Sequence, residues 1–277
     1  MTDILNYEYM QRALAAAVLV GVVCSVIGTY VVLKKMAFIG AGISHSAFGG
    51  VALGYLVGLD PIGIAIPFCL ATAMATGWLS RKGRVSEDTA IGIAFASTMA
   101  LGALFIGLKE GYNVDLFGYL FGSILAVSEP DLWLILGLGL GVIVVVALLF
   151  KELLFVSFDE EMAAVSGLPV RALYFLLLGL MALTVIVSIK AVGIILVEAL
   201  LIIPAAAAFQ LTRSFVRMMG LSVLFGVVSG VGGLLLSYWW DLPSGATIVL
   251  TAAAIFFVCF VFSPKRRRHL SLSRERS

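Results

Sequence analysis

Nine long apolar stretches dominate this chain: 13–33, 36–59, 61–80, 89–108, 132–150, 172–189, 191–212, 218–240 and 242–264. Only one of them carries a charged side chain, Glu198 in the seventh. A hydrocarbon core about 30 Å thick is crossed by a helix of about 20 apolar residues. Each stretch therefore predicts a crossing. A membrane β-barrel would instead show segments of about ten residues alternating in polarity, and these runs are apolar on every face. The fold class is thus all-α and polytopic, with about nine (eight to nine) transmembrane helices. The weakest division is between 172–189 and 191–212, where only Lys190 and Gly193 are available to make the turn.

Composition excludes other classes. The 277 residues are 62% hydrophobic and 12% charged, against roughly 25% charged in soluble domains. A soluble enzyme, a disordered chain and a nucleic-acid binder do not fit. One transmembrane domain occupies 1–264, followed by a basic tail over 265–277. The tail holds Lys265, Arg266, Arg267, Arg268, Arg274 and Arg276 against Glu275, which leaves the body with a net charge of −3. Such a tail suits anionic lipid headgroups on the cytoplasmic side. Placing it there puts Lys34, Lys35, Arg81, Lys82, Arg84, Lys151, Arg171, Arg213 and Arg217 on the same side. Only Arg12, Lys109 and Lys190 fall opposite. This bias predicts an outer N-terminus. Trp239 and Trp240 then lie at an outer boundary, where indoles favour the interface.

The N-terminus has acids at Asp3 and Glu8 and no basic n-region, so no cleavable signal is expected. Cys24, Cys69 and Cys259 all sit inside apolar runs. They form no paired spacing and read as small core residues. Small residues recur at i+4 in Gly50–Gly54–Gly58 and Ser222–Gly226–Gly230, a pattern that allows close helix packing.

Two connections stand out. The outer loop contains an apolar run, Leu116–Val127, too short to span, which predicts a re-entrant or interfacial helix. The cytoplasmic loop Lys151–Arg171 reads as a helix of about two turns outside the bilayer. Ser157 or Asp159 caps it, Glu160 and Glu161 fill its first turn, Gly167 ends it, and Pro169 prevents continuation.

Deep polar groups are few. His45 lies about ten residues, roughly 15 Å, into the second stretch. Its bland role is a helix–helix hydrogen bond. Its functional role is a transit ligand for a divalent metal, because neutral imidazole binds zinc, manganese and iron. Glu198 is costly when ionised in hydrocarbon, and such residues mark ion paths or proton relays. No Lys or Arg lies deep enough in another stretch to pair with it. Pro204, six residues on, is expected to break the helix and free carbonyls along a cavity. There is no HExxH, no GxSxG and no phosphate-binding loop. The chain is therefore no enzyme, binds no cofactor of its own, and would need a separate ATPase subunit if transport is ATP-driven.

The sequence resembles the metal-type family of ABC importer permeases over about residues 12 to 263. The segments that carry the resemblance are Met36–Ala47 with Gly50–Gly54, Glu87–Ile93, Leu120–Leu125, Phe158–Gly167 and Val192–Ala206. They stand in the family's order. The resemblance implies a divalent-metal cargo (zinc, manganese or ferrous iron) and a prokaryotic plasma membrane location. It also implies a second copy of the chain, a cytoplasmic ABC ATPase dimer that binds the ATP, and an extracytoplasmic metal-binding protein. The segment with Asp159, Glu160, Glu161, Ala163 and Gly167 looks like the coupling helix that docks on the ATPase. One position departs. Family members often carry an Asp four residues before the motif histidine, and here that residue is Ala41. Only His45 transfers as a metal ligand, and Glu198 is the expected source of the missing carboxylate. Two alternatives stay open: an ion-coupled secondary carrier with Glu198 as its site, and a permease for a metal chelate. The secondary carrier works without an ATPase, whereas the chelate permease is an ABC permease that changes only the cargo.

Overall fold

The computed structural model describes residues 7–82, 86–109, 122 and 124–264. Within them the chain forms eleven α-helices: α1 (Glu8–Leu33), α2 (Ala37–Val57), α3 (Pro61–Lys82), α4 (Glu87–Gly107), α5 (Glu129–Leu148), α6 (Phe150–Phe158), α7 (Glu160–Val165), α8 (Val170–Val192), α9 (Ile194–Leu211), α10 (Phe215–Trp240) and α11 (Ser244–Val261). All but α6 and α7 are long and apolar enough to cross a membrane. The nine expected crossings are therefore present among the described residues.

Helices α1, α4 and α5 begin earlier than their apolar runs because capping and local charge pairs carry them beyond the hydrocarbon. α1 starts at Glu8, whose carboxylate pairs with Arg12 one turn later at 3.1 Å. Ser86 caps α4 by accepting from the Thr89 amide. α5 opens one residue after Ser128, whose amide donates to Asp131 Oδ2 at 3.0 Å. Such acids in a first turn also suit the positive helix N-terminus.

Helices α1, α2 and α8 are buried along most of their length, while α4, α5 and α11 leave most of theirs uncovered. Small residues set the central contacts. A Cβ on Gly21 would lie 3.1 Å from the Gly226 carbonyl, so α1 and α10 touch backbone to backbone. Gly28 likewise lies against the Leu201 carbonyl of α9. Gly50 and Gly54 face the backbone of Ala65 and Pro61, closing α2 onto α3. Gly58 breaks the pattern. Its φ is +76° and no atom would crowd a side chain there, so it is the left-handed cap of α2 rather than a packing glycine.

The turn between α8 and α9 is the single residue Gly193, with φ 79° and ψ 166°. Essentially only glycine occupies that region, which explains how so short a joint separates two crossings. The expected break at Pro204 is not there: α9 runs through it to Leu211. A proline removes one intrahelical hydrogen bond but does not by itself end a helix held by its neighbours. α3 passes through Pro67 in the same way. Of the run Leu116–Val127, only Gly122 and 124–127 are among the described residues, with a 3₁₀ turn at Ile124–Ala126. The rest of the expected re-entrant helix, Arg84 and the basic tail lie outside them.

Candidate functional site

α2 places His45 eight residues after its start, and α9 places Glu198 five residues after Gly193. They are 153 residues apart in sequence, yet His45 Nδ1 lies 3.9 Å from Glu198 Oε2. Nδ1 is also 3.0 Å from the Ala41 carbonyl oxygen one turn back. A carbonyl only accepts, so Nδ1 carries the proton in that bond and the neutral ring keeps its lone pair on Nε2. Phe95 of α4 sets its ring against the imidazole edge, 4.9 Å between centroids. Ala41 thus has a second use besides lacking a carboxylate. Its carbonyl orients the histidine ring.

The 3.9 Å contact runs from Nδ1, which the Ala41 bond occupies, so it brings the carboxylate beside the ring and leaves the Nε2 lone pair as the imidazole's donor to an ion. The pair is also accessible: side-chain exposure is 25% for His45 and 31% for Glu198, which lie eight and four residues past the starts of their helices. A carboxylate cannot rest against lipid tails at that depth, so this face belongs to a cavity or to another protein surface. No third His, Cys, Asp or Glu joins the two among the described residues. Among the described residues, His45 and Glu198 could offer an ion two donors and no more.

At the end of the bundle that holds Lys34 and Arg81, α7 forms the short helix expected after Phe158. Asp159 rather than Ser157 caps it, accepting from the Met162 amide at 2.9 Å, while Ser157 donates to the Leu153 carbonyl. Gly167, at φ +85°, closes its other end, and the Leu168 amide donates to the Ala163 carbonyl at 3.1 Å. Replacing Asp159 with Ala is expected to cost this helix about 1 kcal/mol. Hydrogen exchange at the amides of 161–165 would read it as faster opening, with the membrane helices unchanged.

The residues expected to meet a motor divide into two groups. Asp159, Glu161 and Gly167 are exposed, as are their neighbours Met162 and Val165, the last at 83%. Ala163 is fully buried, and Glu160 turns back toward the bundle, paired with Arg81 and, at 3.7 Å, with Lys34. A sequence places charges at a helix start but does not say which way they face. The outward, apolar side of α7 is carried by Met162 and Val165, which sequence reasoning passed over. At the opposite end, Lys190 pairs with buried Asp131 at 2.5 Å and ties α8 to the start of α5.

A family model described as the ABC 3 transport family matches residues 6–263. The chain belongs to the ABC 3 transport family. This permease is 43% identical over 264 residues to the manganese transport system membrane protein MntC of Halalkalibacterium halodurans, covering 95% of this chain and 90% of that one. It is 35% identical to the high-affinity zinc uptake system membrane protein ZnuB of Haemophilus influenzae, covering 94% and 99%. Its fold matches the solved structure of PsaBC from Streptococcus pneumoniae in complex with Fab, with a TM-score of 0.87, 38% identity, and coverage of 98% of this chain and 97% of that one. The permease is thus a multi-span membrane transport subunit.

Proposed function

We propose that this permease is the membrane subunit of an ATP-driven importer of divalent metal, with manganese as its principal cargo. The observation that carries the reading is the approach of His45 and Glu198 on a partly uncovered face of the bundle. A carboxylate and one imidazole, with no thiolate, form a comparatively hard donor set. Carboxylate oxygens suit manganese, whereas thiolates select softer ions. The relatives named for manganese import point the same way. Two donors hold the ion briefly and leave the rest of its shell to water or to a second subunit, so selectivity belongs to the extracytoplasmic binding protein that delivers it.

A second copy of the chain covers the His45–Glu198 face in this reading, and the pathway runs between the two copies. A pair of cytoplasmic ATPases docks on α7 through Met162 and Val165, at the end that carries the basic loops, and the N-terminus is outside. Closure of the ATPases moves α7, and the access to His45 alternates. The His45 lone pair on Nε2 and the Glu198 carboxylate receive the ion in turn.

The test is manganese uptake into liposomes carrying the permease with its ATPase and binding protein. Uptake is expected only with ATP inside the compartment that faces α7. Nucleotide-independent uptake by the permease alone would favour the secondary carrier. An excess of zinc is expected to compete less well than an excess of manganese.

A further inference from the structure

The underside of the bundle holds a cavity of about 570 Å³ lined by Lys34, Arg81, Glu87, Glu160 and Tyr174, among others. Glu160 is the point where three parts of the molecule meet. Its Oε1 pairs with Arg81 Nη2, and its Oε2 lies 3.7 Å from Lys34 Nζ. Each carboxylate oxygen therefore faces a different cation. Lys34 Nζ also donates to the Val156 carbonyl of α6 at 3.2 Å. The Arg81 guanidinium stacks 4.0 Å from the centre of the Tyr174 ring of α8. Burial holds Lys34 below the ordinary lysine range, and the charge of Glu160 offsets part of that.

What matters is where these cations sit. Lys34 ends α1 and precedes α2 by two residues, Lys35 and Met36. That link has no slack. Lys35 is left-handed at φ +59°, and the Met36 amide donates to the Val31 carbonyl at 2.8 Å. Arg81 lies at the end of α3. Glu160 therefore grips the end of α1, where the chain passes into α2 two residues on, and the end of α3. Arg81 thus ties Glu160 to the inner end of the α2–α3 hairpin, which is closed along its length by Gly50 on Ala65 and Gly54 on Pro61. His45 rides on that hairpin. Glu198 rides on α9, packed at Leu201 against Gly28 of α1.

We infer that Glu160 is a positioning residue that transmits motion of α7 to the α2–α3 hairpin and so changes the gap between His45 and Glu198. It acts inward, on Lys34 and Arg81, rather than as a contact for the motor. The inference rests on the ATP-driven reading above.

The experiment uses the complete transporter in liposomes and reads manganese moved per ATP hydrolysed. Glu160→Gln keeps the size of the side chain and removes the charge. It is expected to lower that ratio at least about fivefold while hydrolysis continues. The swap Glu160→Arg with Arg81→Glu restores the Arg81 pairing and is expected to recover at least half of the wild-type ratio. An unchanged ratio in Glu160→Gln overturns the inference. If that variant fails to assemble, the swap decides: no recovery beyond Glu160→Arg alone overturns it as well. Wild-type uptake that ignores ATP is a separate result, which removes the ATP-driven reading itself.

Discussion

Glu198→Gln is expected to abolish most manganese uptake, at least tenfold and approaching a hundredfold, with the protein still folded in the membrane. The amide keeps the shape of the side chain and can accept one hydrogen bond, but it carries no charge to hold a divalent ion. Changes even in residues that only support metal ligands commonly cost about 10–100-fold, so loss of a donor should cost no less. His45→Ala removes the partner donor and should give a similar loss. The informative comparison is His45→Gln with Glu198→Gln. If the two act on one ion, the double variant is little worse than either single one, because groups that act as a unit are not additive. Uptake at the wild-type rate in both single variants would end the assignment of this pair, while the membership of the family would stand.

The second large effect concerns packing. Gly28→Ala inserts a methyl group where the Leu201 carbonyl carbon already lies 2.9 Å away, and both partners are backbone. Neither can swing aside as a flexible side chain would. Overpacking of this kind costs about 1–3 kcal/mol or more, and in a domain of this size each kcal/mol lowers a melting midpoint by roughly 2–4 °C. A fall of about 5–10 °C in detergent is expected. Uptake should suffer too, because Leu201 follows Glu198 by one turn and any displacement of α9 carries the carboxylate with it. Gly232 supplies the contrast: nothing lies within 4 Å of a Cβ there. Gly232→Ala should therefore hold or slightly raise the midpoint, since glycine inside a helix is destabilising by about 0.5–1 kcal/mol relative to alanine.

These residues also show what a sequence can and cannot disclose about such a protein. The crossings were legible because lipid imposes one requirement, a long apolar helix, on every segment alike. The short helix α7 was legible because Asp159, Gly167 and Pro169 are local signals, read within a few residues. Partnerships across the chain were not. Nothing in the apolar run around His45 points to Glu198, and nothing near Glu160 points to Lys34, 126 residues earlier, or to Arg81. Glu198 drew attention because it is expensive, and its pairing with His45 was expected only because the family resemblance left a carboxylate missing at Ala41. Local signals also misled where tertiary support overrode them. Pro204 sits inside an unbroken α9, and Gly58 continues the spacing of Gly50 and Gly54 while serving to end their helix.

Gly193 gives the single-residue elbow between α8 and α9 a further property. A helix advances about 100° per residue, and this joint has no spare length to absorb a change. One alanine added after Gly193 would turn the face of α9 by more than a quarter circle and swing Glu198 away from the imidazole. The angular phase of the whole pathway is thus set at one glycine, and a chain that tolerates many substitutions elsewhere should tolerate no insertion there.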